Sequence, residues 1–224
     1  ISRFVEDIPT GSKQIDLDIT IAACKNNAAD LCAVFANNPQ HVSLCLDVAS
    51  QTNIDPQLKE AVNDKCVASL RYNDDNLIAA SIRCLLVLGD FKRIPMEMIR
   101  KFIISDNKTI VCCSFLTVTS LALSDCDIPD DIVDVVIQNW NDQTAKSTLV
   151  ALCKRERAAL KIISFLESIA NSIQTDPFLL KILIQAAKHE SAKQKIKKIV
   201  CLFNFDSLLH DFEPAVSFLK RELG

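Results

Sequence analysis

The stretch Asp127-Ile128-Pro129-Asp130-Asp131-Ile132-Val133 carries the pattern that decides the fold. A proline stands where the chain turns, acids follow it, and apolar residues then resume at helical spacing. Four other segments repeat the arrangement. They are Ile54-Asp55-Pro56-Gln57-Leu58, Arg93-Ile94-Pro95-Met96-Glu97-Met98-Ile99, Thr175-Asp176-Pro177-Phe178-Leu179-Leu180 and Phe212-Glu213-Pro214-Ala215-Val216. Proline at the first helical position gives up no useful donor, because that N–H has no intrahelical partner, and its φ is already helical. Acids in the first turn, such as Asp130 and Asp131, match the helix dipole. Five of the seven prolines therefore mark helix starts, and we read each as the second helix of a helix–turn–helix unit.

The intervening segments supply the first helices. Asn76 to Leu88 places Leu77, Ile78, Ser81, Ile82, Leu85 and Leu86 on one side, and Gly89 follows where a left-handed residue ends a helix. Thr109 to Leu123 is uncharged, broken only by Thr and Ser, and reads as a fully buried helix. It falls short of the ~20 apolar residues that span a bilayer. Arg157 to Ile173 and Ser191 to Phe203 are amphipathic, the latter with Ile196, Ile199, Val200 and Phe203 opposite a row of lysines. The marking prolines from Pro56 onward are 39, 34, 48 and 37 residues apart. The longest interval holds an extra short helix, Thr144 to Cys153. Residues 15–49 are helical but less regular, with Ile15 to Ala36 ended by Asn37-Asn38-Pro39 and a restart at Val42. These features predict one all-α domain over 1–224, with repeats led by Pro56, Pro95, Pro129, Pro177 and Pro214.

Composition agrees. Three glycines in 224 residues are too few for the turns of a sandwich or for phosphate-binding loops. The ten cysteines sit mostly among apolar residues, as in Ile110-Val111-Cys112-Cys113-Ser114-Phe115 and Ile199-Val200-Cys201-Leu202-Phe203. There they act as small buried hydrophobes, which predicts reduced thiols and a cytoplasmic or nuclear location. The chain begins at Ile1, so we expect a piece of a longer or processed protein.

Helix pairs with proline-led second members at this spacing resemble the HEAT/armadillo-type repeats, whose period is roughly 40–47 residues. That resemblance implies a right-handed α-solenoid of about five degenerate helix pairs, a short and slightly curved rod. From Ser81 to Val200 the chain also resembles the C-terminal helical-repeat domain of the Fanconi anaemia group E family. The Pro95 helix, Thr109–Leu123, the Asp127-Ile128-Pro129 start, Arg157–Ile173 and Pro177–Lys188 carry the likeness. It implies an adaptor in a DNA-crosslink repair complex.

No residue pattern points to chemistry. His41, His189 and His210 lack the i, i+4 partner that a helical metal site needs, and we expect capping or surface roles for them. No Gly-x-Ser-x-Gly elbow appears. Cys153, before Lys154-Arg155-Glu156-Arg157, is the one thiol in an electropositive setting. We expect no catalysis, cofactor, metal, membrane or small-molecule substrate. Charge is more informative: residues 1–140 balance to −7 and residues 141–224 to +4. Lys188, Lys193, Lys195, Lys197 and Lys198, with Arg155 and Arg157, form a candidate partner-binding ridge. Trp140, the only tryptophan, is a candidate anchor that more naturally seals the core edge, and Phe178 is similar. The acidic group Asp125, Asp127, Asp130, Asp131 and Asp134 suits a basic peptide or helix capping. The function predicted is a scaffold for protein partners in a multi-subunit complex. Nucleic-acid binding through the basic ridge is the alternative, weakened by a pI near 5.6.

Overall fold

The computed structural model describes residues 56–170, 177–202 and 209–223. The expected helices within 15–49 lie outside them. Among the described residues there are ten α-helices and no strand. The chain packs as two compact units, Ile1–Thr117 and Val118–Gly224.

In the first unit α1 (Pro56–Ser69) packs on α2 (Asp75–Val87). The side chain of Asp74 caps α2 by accepting the N–H groups of Asn76 and Leu77. Of the face expected from the sequence, Leu77, Ile78, Ser81, Ile82 and Leu85 are buried. The helix ends at Gly89, with φ +76°. There the N–H of Gly89 donates to Leu86 and that of Asp90 to Leu85, a paired closure that needs a left-handed residue. No atom lies within 4 Å of the Cβ that alanine would add. Gly89→Ala is therefore expected to lose about 1–2 kcal/mol from backbone conformation alone, measurable by urea denaturation.

A 3-10 turn (Phe91–Arg93) leads to α3 (Met96–Phe102) and then α4 (Lys108–Leu123). Asp90 binds the turn back to α1, accepting from Asn63 Nδ2 at 2.7 Å and pairing with Lys59 at 3.0 Å. Burial pushes its carboxyl upward, but hydrogen bonds from Lys59 and Asn63, with the charges of Lys59 and Arg93, outweigh that and hold it below the usual carboxylate value. A depressed folded pKa means the contribution is present above the unfolded value of about 3.9 and lost as pH falls through the folded one. Asp90→Ala should cost about 1 kcal/mol at neutral pH. That penalty should vanish when melts are repeated in strong acid.

Asn107 caps α4 through its side-chain oxygen, while its Nδ2 donates to Asp75 at 2.9 Å. Inside α4 the buried hydroxyls of Ser114 and Thr117 donate to carbonyls one turn back, at Ile110 and Cys113. This is how an apolar helix tolerates them. The helix is not fully buried as expected. Thr109, Leu116 and Leu123, each seven residues apart, leave one exposed stripe along it.

The second unit holds α5 (Asp130–Gln138), α6 (Gln143–Leu152), α7 (Glu156–Ile169), α8 (Pro177–Ala186), α9 (Glu190–Leu202) and α10 (Leu209–Leu223). Side chains join α5 to α7 in rising order, Asp130 with Arg157 and Asp134 with Lys161. They join α7 to α9 likewise, Glu156 with Ser191, Ser164 with Lys195 and Glu167 with Lys198. These three helices are therefore parallel neighbours in one layer. The second layer is α6, α8 and α10, with α8 packed on both others. Leu179, Leu180, Ile182, Leu183 and Ala186 of α8 are all buried against this surrounding.

Two expectations change. The short helix in the 48-residue interval is no insertion: α6 is a full member of the second layer. Three helices therefore fit between Pro129 and Pro177, and the proline-led helix moves from one layer to the other. A proline specifies where a helix starts, not which layer receives it. Pro56 and Pro177 open their helices, and Pro95 and Pro129 stand one residue before theirs. Pro214 instead lies inside α10, where its missing N–H removes one helical hydrogen bond.

Candidate partner-binding surfaces

The residues expected to form one basic ridge are divided among several tasks. Lys193 pairs with Glu190 at 2.8 Å, and that carboxylate holds its ammonium above the ordinary value. Lys195 donates to Ser164 Oγ at 2.7 Å, and Lys198 reaches Glu167 at 3.6 Å. Those two contacts bind α9 to α7, so two lysines of the ridge act between helices. Lys188 is exposed and donates to Gln185 Oε1 at 2.8 Å, and Lys197 is exposed on the far side of α9.

Arg155 and Arg157 stand with the acidic group instead. Arg157 donates to Asp130, and Lys161 donates to Asp134 at 2.7 Å and to the Asp130 carbonyl at 3.2 Å. Arg155 lies 3.7 Å from Asp125, with Nε and Nη2 buried and holding no hydrogen bond. Asp125, Asp130, Arg155 and Arg157 line a cleft of about 420 Å³ with Asp127, Lys154 and Glu156. Asp125 closes α4 with φ +58°, a left-handed role in which aspartate is better tolerated than most residues. Acids and bases here neutralise one another, and the carboxylates do more than cap α5.

The candidate anchors differ sharply. Trp140 is only 8% exposed. Its ring meets Phe165 of α7 edge-on at 6.2 Å, and Lys146 of α6 lies 5.1 Å over it. It fastens three helices together and presents little surface to a partner. Phe178 is half-buried, with Lys181 Nζ 5.3 Å from its ring, and Phe218 bears Arg221 at the same distance. Tyr72 is 53% exposed.

His189 caps a helix C-terminus, that of α6 and not of the helix it follows. Its Nε2 meets the Cys153 carbonyl at the end of α6, 2.9 Å away, and its own carbonyl starts α9. His41 and the side chain of His210 lie outside the described residues. Cys153 is fully buried, and burial pushes its thiol upward. Cys201, expected in the core, is exposed beside Leu202. Among the described residues all cysteines are free thiols, no His/Cys/Asp/Glu group is arranged to hold a metal, and no helix is long and apolar enough to cross a membrane.

No family model matches the chain, and no curated protein matches it significantly. Solved structures do. A designed armadillo repeat protein in complex with the peptide (KR)4 superposes with TM-score 0.55 at 9% identity, covering 99% of this chain and 97% of that one. Two engineered proteins match with TM-scores of 0.53 and 0.51 at 14% and 15% identity, each covering 99% of this chain and 96% and 92% of theirs. At such identities only the fold is shared, and that fold agrees with the two-layer helical stacking of the second unit. The chain has an armadillo/HEAT-like helical-repeat fold, an α-solenoid.

Proposed function

We propose that the protein is a non-catalytic scaffold that holds protein partners within a larger assembly, its 224 residues acting as one repeat domain. The observation that carries this reading is the likeness to a designed armadillo repeat protein in complex with a peptide. Repeat stacking leaves long faces whose residues come from successive helices, and such faces suit extended partners. The resemblance to the Fanconi anaemia group E domain narrows the proposal to an adaptor of a DNA-repair complex in the nucleus. A cytoplasmic assembly is the broader form.

Nucleic acid is the second reading, favoured by the +4 balance of residues 141–224. The ion pairs of Lys193 and Lys198 work against it, because charges already neutralised release fewer counterions on binding phosphates. Capture of partners from nuclear and cytosolic extract, with and without nuclease, separates the two. A reproducible protein set that survives nuclease supports the scaffold. Capture abolished by nuclease, or a steep loss of affinity with salt that tracks Lys197, overturns it.

A further inference from the structure

The two layers of the second unit treat their cations differently. In the layer of α5, α7 and α9, Arg157, Lys161, Lys193 and Lys198 meet carboxylates. In the layer of α6, α8 and α10, two cations meet rings and one an amide. Lys181 lies over Phe178 and Arg221 over Phe218, while Lys188 donates to Gln185. An aromatic face attracts a cation through its quadrupole but supplies no net counter-charge. The positive charge is therefore retained at this surface.

Sequence and placement reinforce the contrast. Neither α6 nor α8 contains an acidic residue, whereas α10 carries Asp211, Glu213 and Glu222. Along α8, Phe178, Lys181, Gln185 and Lys188 follow one helical stripe, away from the buried Leu179, Ile182, Leu183 and Ala186. On α10, Phe218 and Arg221 occupy the stripe facing solvent, and Glu222 lies towards Lys193 of α9. The two helices pack side by side in one layer.

We propose that this solvent face of the second layer docks an acidic peptide segment. Its carboxylates meet Lys181, Lys188 and Arg221, and its apolar side chains lie on the exposed edges of Phe178 and Phe218. Charge complementarity selects the occupant: cations that meet no carboxylate among the described residues, spaced along two neighbouring helices, fit an acidic chain. A nucleic acid fits less well, because both rings are half-buried and each is covered by its own cation, leaving no open platform for bases. The proposal rests on the scaffold reading and names the partner's chemistry.

The test is fluorescence anisotropy with the full chain. Its probes are a labelled peptide alternating glutamate and leucine, its lysine-for-glutamate counterpart, and an oligothymidylate. The acidic peptide should bind, the basic one should not, and Lys181→Glu with Arg221→Glu should weaken binding by about tenfold or more. Lys197→Glu, on the other layer, should change it by less than about threefold. Equal binding of both peptides, indifference to the double reversal, or binding of the oligonucleotide alone overturns the proposal. Lys181 and Arg221 are exposed, so the variant should melt like the parent. If it does not, Lys181→Gln with Arg221→Gln provides the same reading with a smaller loss. Failure of the acidic peptide while nuclease-resistant partners are still captured removes this surface and leaves the scaffold. Failure of both removes both.

Discussion

Replacing Trp140 with alanine is expected to cost about 3–5 kcal/mol, which for a chain of this size lowers the melting temperature by about 10 °C. The loss has three parts. A large ring leaves a site where only 8% of the residue is exposed, the edge-on contact with Phe165 disappears, and Lys146 loses its partner face. Because Trp140 lies in the turn between α5 and α6 and reaches α7, nothing nearby can collapse into the gap without moving a helix. Trp140→Phe keeps an aromatic ring and should recover more than half of the loss. The comparison is made by circular dichroism melts, which do not depend on the missing chromophore. A partner anchor would behave otherwise, leaving stability intact and weakening only capture. A loss below about 1 kcal/mol would sink the structural role and return Trp140 to the binding surface.

Much of the helical order is legible because the signals that start and stop a helix act locally. Asn76–Leu88, Thr109–Leu123, Thr144–Cys153 and Ser191–Phe203 each start within one residue of the observed helix. A missing N–H or a positive φ constrains its immediate neighbours, whatever the remainder of the chain does. Layer membership is different. It depends on how many helices intervene, and α6 is about as long as α5 and α8. Its length therefore does not distinguish an insertion from a repeat helix.

The charged surface was harder to read for a related reason. Lysines in a row on α9 suggest a solvated ridge when only helical neighbours three or four residues away are considered. The partners that matter lie one layer neighbour back. Asp130 with Arg157 and Asp134 with Lys161 are 27 apart, and Ser164 with Lys195 is 31 apart. A constant offset is what parallel helices in register require, since each turn of one meets the same turn of the next. Scanning residues 125–200 for complementary pairs at a repeated offset of that size would have found the network. It would also have left Lys181 and Lys188 unmatched, along with Lys193 of α9.

The cysteines offer the sharpest contrast between neighbourhood and burial. Cys153 precedes Lys154, Arg155 and Arg157, a setting that stabilises a thiolate when solvent can reach it. In the fold it caps the end of α6 with no exposed surface, and burial pushes the thiol upward. Cys201 has apolar neighbours in sequence but is exposed near the end of α9, with Leu202 54% exposed beside it. Native-state alkylation with iodoacetamide, read by peptide mapping, should therefore modify Cys201 at the rate of an accessible thiol. Cys153 reacts only when the unit opens, and an opening free energy of about 5 kcal/mol slows it by ~1,000-fold or more. In denaturant the difference should disappear, because it belongs to the fold and not to the residues. Comparable native rates at the two sites would mean that Cys153 is reachable from solvent. Its basic neighbours would then mark an activated thiol, and the non-catalytic reading would have to answer for it.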